Sequence, residues 1–515
     1  MHVTRQLGVP KKRLFVRVAG VSPDIDIVPF NHKISTLERA VKERVFLVKS
    51  LDGSGELVPP PRPAPGVFAS RLETTGALLR TYLPSTAPVS YQQFVDSYKG
   101  RKKGVYERAL QEMRLGGSTP EEDAQVKVFI KFEKTDRTTK SDPVPRVISP
   151  RNPRYNLRVG RFLKPLEERI FKSLGKLFGH RTVMKGMDVN GVAACLREKW
   201  EMFKDPVAVG LDASRFDQHV SIDALKWEHQ IYLDCFKRKK DRETLARWLK
   251  LQEHNVCTGY AEDGKLRYEV EGTRMSGDMN TSLGNCVLMC SMIHAYLSSI
   301  GVRGQLANNG DDCVVFMERS DLDKFSQSCF SWFLDMGFNM AIEEPVYDFA
   351  QIEFCQCKPV FDGTLWRMCR NPRTAIAKDA VLLKSNVSLN FFRLWLNAVG
   401  TGGISIAGGM PIFQAFYSMF IRNGITSYRS KDTSIGLRSA EDFNEIMPWF
   451  MREMHLAGSH KSKPITPEAR SSFYDAFGVT PDEQIELEKF YNCMTIGDFG
   501  QDWYCRPVFD CETNL

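Results

Sequence analysis

Residues 306–316 read LANNGDDCVVF, and no other stretch constrains the fold as tightly. The small polar run Asn308-Asn309-Gly310 meets the β-prone run Val314-Val315-Phe316, so one strand must end and another begin there, as at the tip of a hairpin. That tip carries two adjacent carboxylates, Asp311 and Asp312. Neighbouring strand residues point to opposite faces, so the pair can share a ligand only if the chain turns sharply between or before them, which Gly310 permits. Alone, an Asn-Gly-Asp-Asp cluster fits a solvated hairpin loop better than a site. A metal centre at this tip needs a second source of carboxylate.

About a hundred residues upstream, Val207-Ala208-Val209-Gly210-Leu211 reads as a buried strand running into Asp212. Asp217 follows after a break in the strand pattern, just before a helical stretch from Ile222. Asp212 is thereby placed to bind metal beside Asp311, whereas Asp217, at the strand-to-helix turn, points at whatever the metal holds. A D-x4-D also occurs at ordinary helix starts, where carboxylates complement the N-terminal dipole. A third segment, EGTRMSGDMNTSLGN at 271–285, sets Ser276-Gly277 in a loop that opens a long helix. Thr281 and Asn285 then share one helical face, as hydrogen-bonding groups suited to a sugar. A capped core helix would explain the same letters, though not the order of the three segments.

That order, D-x4-D, SG-x3-T-x3-N and GDD, resembles palm motifs A, B and C of viral RNA-dependent RNA polymerases. KVFIKFEKTDRTTKSDPVPRVISPR at 127–151 resembles their basic fingers motif F. The wording ISTLERAVKERVFLV, VPPPRP, SYKGRKKGVYERA and SGDMNTSLGN is similar to the tombusvirus and carmovirus branch of plant-virus replicases (Tombusviridae), in its readthrough polymerase portion. The likeness covers most of residues 30–390 and thins toward the C-terminus. It implies an α+β right-hand polymerase with fingers, palm (an antiparallel sheet with helices) and thumb. The implied divisions are 1–205 as mainly fingers, 206–229 as palm motif A, 230–268 as a fingers insertion, 269–368 as palm motifs B to E, and 369–515 as thumb and C-terminal region.

Joining a nucleoside triphosphate to a 3′-hydroxyl uses two divalent ions ~3.5–4 Å apart. Hard Mg²⁺ takes oxygen ligands, with Mn²⁺ also accepted, and Asp212 and Asp311, assisted by Asp312, supply them. Lys131 and Arg146, helped by Lys134, are the cations for the triphosphate. The resemblance further implies that Asp217 and Asn285 read the ribose 2′-hydroxyl beside Ser276 and Thr281. Arg101, Lys102, Lys103 and Gly277 are assigned to RNA. A reverse transcriptase would share the metal chemistry but place a bulky residue at the sugar, against Asp217 and Asn285. A non-catalytic RNA-binding protein would leave the carboxylates unexplained.

Composition agrees. A chain of 515 residues, 43% hydrophobic, buries a large core and is too long for one ordinary domain. Net charge is +8, with the basic residues gathered in segments such as 99–103, 131–140 and 146–161, suiting template phosphates, nascent RNA and nucleotides. The 13 cysteines include no C-x2-C pair, so reduced thiols in a cytosolic setting are expected. No apolar run is long enough to span a bilayer, and no G-x4-GK[ST] loop marks a helicase. The resemblance implies work in host-cytoplasm replication complexes on membranes, with attachment indirect, through a viral auxiliary replication protein and host factors. Four local expectations follow. Ser320 to Asp335 is an amphipathic helix using Leu322, Phe325, Phe330 and Phe333. Residues 352–368 form a hairpin on which Cys355 and Cys357 alternate as packing residues. Gly400 to Gly409 is too glycine-rich for a regular element. Trp503, Tyr504 and Phe509 are an aromatic platform or thumb packing.

Overall fold

Unbroken burial from Val207 to Leu211 marks Pro206–Ala213 as a central strand, covered on both faces, of a four-stranded antiparallel sheet in the computed structural model. The structure describes residues 1–9, 13–18, 20–22, 25–139, 142–384, 387–425 and 460–496. Strand order is Gly304–Asn309, Asp312–Glu318, Pro206–Ala213, Met340–Ile342. Val207, Val209 and Leu211, with Val315 and Met317, enter a core shared with the helices Thr281–Ser299 and Leu322–Asp335. Ala208, Val314 and Phe316 enter a second core with Ala193 and Leu196 of the helix Val189–Trp200. Both faces are therefore covered, and a one-residue slip would exchange the two sets of side chains. Such a slip is strongly opposed, because burying one Val or Leu side chain is worth about 1.5–3 kcal/mol.

A five-stranded sheet runs His2–Arg5, Gly264–Glu271, His254–Ala261, Val126–Ile130, Val147–Ile148. His254–Ala261 pairs in parallel with Val126–Ile130 and in antiparallel fashion with Gly264–Glu271. Val126, Val128 and Ile130 point into a core with Leu37, Cys257 and Leu266, leaving Lys127 and Phe129 exposed. The basic segment thus starts on a fixed strand rather than a free loop. Its return strand, Val147–Ile148, is pinned by Lys131 N–H donating to the Arg146 carbonyl at 2.8 Å.

Several local expectations need correcting. Gly400 to Gly409 is largely helical, inside Leu389–Ala407. Its glycines serve close packing: a Cβ at Gly400 would lie 2.7 Å from the Tyr417 carbonyl oxygen, and one at Gly403 would enter the Tyr417 ring. The partner is the helix Phe413–Asn423. On Leu322–Asp335, Phe325, Cys329 and Phe333 are buried one helical turn apart, whereas Phe330 is 40% exposed and lies outside the core. The hairpin after it is shorter than expected, Cys357–Phe361 against Trp366–Arg370. Cys355 is not on a strand. With Gln356 it makes a two-residue turn in which both have positive φ, 53° and 60°, closed by reciprocal Phe354–Cys357 backbone bonds. Among the described residues no helix is long and apolar enough to cross a membrane. Trp503, Tyr504 and Phe509 lie outside the described residues.

Candidate active site

The hairpin tip brings the carboxylates together by register. Asp312 is the cross-strand partner of Asp212, and Asn309 is the partner of Asp312, leaving Gly310-Asp311 as the turn. Gly310 has φ +91°, a conformation that a side chain resists. Opposed residues share a face, so Asp212 and Asp312 project to the same side, while Asp311 sits at the bend. The Asn pair before the tip holds it. Asn308, fully buried, donates to the Gly310 carbonyl at 2.7 Å and accepts from Gly310 N–H at 3.2 Å. Asn309 accepts from Lys185 Nζ at 2.8 Å and donates to Cys355 Sγ at 3.1 Å.

These carboxylates repel one another. Burial, then the charges of Asp311 and Asp212, push the Asp312 carboxyl up, while a hydrogen bond from the Cys355 thiol and the Lys185 ammonium pull it down. Glu343 joins them: its carboxylate lies over Gly210, with Cδ 2.7 Å from where a Cβ would stand, and burial, Glu353, Asp212 and Asp312 raise its pKa. Asp311 and Asp312 keep solvent-facing surface at the rim even where neighbouring atoms crowd the Asp312 carboxyl, and Asp311 has no hydrogen-bond or ion-pair partner among the described residues. The oxygen donors and excess negative charge suit a hard divalent cation in kind, but as the side chains stand Asp212, Asp311 and Asp312 do not all come within reach of a single ion.

Raised carboxyls give a signed pH effect. A folded-state pKa above the unfolded value of 3.8 leaves stability intact below that value and erodes it as pH rises through the folded pKa. In chelator at neutral pH, Asp312→Asn should therefore melt higher than the parent, of the order of a degree or two, with the gap closing toward pH 4. Mg²⁺ should stabilise the parent more than the variant. Thermal melts at both pH values, with and without Mg²⁺, check this.

Asp217 follows the end of the strand that carries Asp212 and lies within electrostatic reach of Asp311. It lies in the short helix Phe216–His219, started by Arg215 at φ 53°. Asn285 Nδ2 donates to its Oδ1 at 3.0 Å. Burial raises the Asp217 carboxyl, Asn285, Arg274 and Arg146 lower it, and Asp311 raises it, so strand, loop, turn and basic segment all act at this one group. Ser276 Oγ donates to the Val147 carbonyl at 3.0 Å, and Thr281 Oγ1 to the Met275 carbonyl at 3.0 Å. Gly277 packs on the backbone of Ser149-Pro150, where a Cβ would come within 2.6 Å of Pro150. That contact joins the loop to the basic segment.

Lys131 and Arg146 meet at one carboxylate: Lys131 Nζ is 2.7 Å and Arg146 Nη1 3.4 Å from Glu133 Oε2. Lys134 is separated from them. Its Nζ donates to the Lys378 carbonyl at 2.5 Å, and enclosure lowers its pKa to about 8. Arg101, Lys102 and Lys103 occupy the first turn of the helix Gly100–Leu115. Lys102 lies over the Tyr98 ring at 4.7 Å and Lys103 pairs with Asp96 at 3.1 Å, so part of this patch is already engaged.

Sequence reading missed Lys185, Glu343 and Cys355. Only Cys355 carried a local signal, its place between two short apolar runs, and that suggested a strand. Among the described residues, the only trio of His, Cys or acidic side chains close enough to hold one metal ion is His180, Cys195 and Glu198. There Glu198 takes His180 Nε2 at 3.0 Å while Lys199 Nζ lies 3.2 Å from Nδ1, so the two ring nitrogens serve different partners. Lys199 also donates to Gln305, at the far end of its strand from the turn.

A family model described as viral RNA dependent RNA polymerase matches residues 1–497. The chain is 59% identical over 518 residues to the RNA-directed RNA polymerase of Oat chlorotic stunt virus (isolate United Kingdom), covering 99% of this chain and 69% of that protein. It is 40% identical to the RNA-directed RNA polymerase of Melon necrotic spot virus, covering 94% of this chain and 59% of that one. With that of Tomato bushy stunt virus (strain Cherry) it is 38% identical, covering 96% and 57%. The chain therefore spans between about half and two-thirds of the length of most such relatives.

Proposed function

Because this chain belongs to the viral RNA-dependent RNA polymerase family, we propose that it copies a positive-strand viral RNA genome by template-directed nucleotidyl transfer from ribonucleoside triphosphates. The observation that carries the reading is the register that sets Asp312 opposite Asp212 with Asp311 on the turn between strands. Asp212 and Asp311, with Asp312, would hold two divalent ions, Mg²⁺ or Mn²⁺, which when bound activate the attacking 3′-hydroxyl and neutralise the leaving pyrophosphate. Lys131 and Arg146 bind the triphosphate, which takes the place of Glu133 as their counter-ion. The four-stranded sheet and its helices act as palm, the five-stranded sheet with the N-terminal half as fingers, and the helices from 389 onward as thumb. RNA passes over the basic surface that includes Arg101. A viral auxiliary protein and host factors hold the enzyme at host membranes in the cytoplasm.

Asp217 and Asn285 select ribonucleotides. A carboxylate accepts but cannot donate, so its unfilled oxygen suits a 2′-hydroxyl, and an analogue lacking that hydroxyl leaves the site unsatisfied. Asp217→Ala should lower ribo- over deoxyribonucleotide preference about tenfold or more, the worth of a good hydrogen bond. Single-nucleotide incorporation on an RNA template, with each triphosphate in turn, measures it. Unchanged preference would remove Asp217 from sugar recognition, and absence of template-dependent synthesis by the parent would remove the polymerase reading itself.

A further inference from the structure

We propose that Arg274, clamped by Glu228, is a positioning residue that sets sugar selectivity by fixing which end of the Asn285 amide faces Asp217. The proposal rests on the reading of Asp217 and Asn285 as the pair that meets the ribose. Arg274 Nε donates to Asn285 Oδ1 at 3.0 Å, and Asn285 Nδ2 donates to Asp217 Oδ1 at 3.0 Å. A guanidinium has no acceptor and a carboxylate no donor. The amide therefore has one satisfied orientation, and the reversed one would face N–H to N–H on one side and oxygen to oxygen on the other.

Arg274 is itself unable to swing. Its Nη1 donates to Glu228 Oε1 at 3.1 Å and its Nη2 pairs with Oε2, a two-point clamp with both side chains fully buried. Glu228 also accepts from Tyr232 Oη at 2.6 Å and Asn280 Nδ2 at 2.8 Å. The backbone is held too: Arg274 N–H donates to the Asp217 carbonyl at 2.8 Å, following Thr273 at φ 63°. Gly284 gives the pair its passage through the helix, since a Cβ there would come within 2.6 Å of Arg274 Nη2 and Glu228 Cδ. The guanidinium thus divides its donors, two nitrogens on Glu228 and one on Asn285. With Oδ1 of Asp217 occupied by Asn285, Oδ2 is the acceptor left for a hydroxyl. Stability alone is a weak reason for such a pair, because apolar residues of similar volume often replace buried ion pairs without loss.

The test compares ribo- and deoxyribonucleotide kcat/KM on one RNA template, with thermal melts, for the parent, Arg274→Lys, Asp217→Ala and the double variant Arg274→Met/Glu228→Leu. Lysine keeps a cation for Glu228 but has no Nε donor for Asn285. The double variant removes the clamp without stranding a charge. Both should lower the ribo-to-deoxy ratio about tenfold, mainly through a higher KM for the ribonucleotide, with the double variant melting lower than the parent because the Tyr232 hydroxyl loses its Glu228 acceptor. If Asp217→Ala loses discrimination but both Arg274 variants keep it, or lose ribo- and deoxyribonucleotide incorporation by one common factor, the proposal is overturned and the sugar reading survives. If Asp217→Ala discriminates as the parent does, the reading beneath it fails instead.

Discussion

Asp311→Ala is expected to cut RNA synthesis by about 10³-fold or more while the protein melts as the parent does. Ion-mediated stabilisation of the charge that develops in transfer is worth several kcal/mol, and each 1.36 kcal/mol is a factor of ten. Folding should be spared for a local reason. Asp311 is an exposed turn residue with no partner among the described residues, so truncation strands nothing, and the turn is held by Asn308 and Gly310 instead. Asp312→Asn should cost less, about tenfold, because an amide keeps the oxygen that accepts from the Cys355 thiol. Nucleotide incorporation on a defined template at matched folded concentration checks both. Parental activity in Asp311→Ala would end the catalytic assignment.

Arg151→Met is expected to destabilise the fold by about 3–5 kcal/mol, the usual cost of stranding one member of a buried ion pair. Arg151 Nε donates to Asp278 Oδ1 at 2.5 Å and Nη2 to Oδ2 at 3.2 Å, with side chains 1% and 3% exposed. The same guanidinium donates to the Ala124 carbonyl at 2.6 Å and to Asn255 Oδ1 at 2.5 Å, and lies over the Tyr155 ring at 5.2 Å. It joins the end of the basic segment, the loop before Thr281 and the five-stranded sheet. Adding Asp278→Leu should recover much of the loss, because the charge left behind is then gone. Denaturant titrations of parent, single and double variants decide the point: a single variant as stable as the parent would show that the pair contributes only packing.

The central strand and the hairpin were legible because their signals are local. Val207 to Leu211 is apolar throughout, Asn-Gly marks the turn, and the ordered acids fall where two strand ends meet. What stayed hidden depends on residues far apart in the chain. Glu228 and Arg274 are separated by 46 positions and each alone looks like a surface charge. Lys185 reaches the tip only through a partner 124 positions away. Lys134 reads as a third triphosphate cation from its neighbours, yet folding turns it to the Lys378 carbonyl. The glycines near residue 400 suggest a loop because composition cannot show that Tyr417 will lie against them. Cys355 misled for another reason: positive φ at two consecutive side-chain-bearing residues is too uncommon for pattern to anticipate.

Gly210, in the middle of the central strand, makes charge depend on volume. Its missing side chain is the space into which the Glu343 carboxylate folds, beside Asp212 and Asp312. Replacing it with alanine adds one methyl group and no charge, yet that methyl would displace the Glu343 carboxylate from the face it shares with Asp212 and Asp312. An apolar substitution at this position would thus read out as an electrostatic mutation.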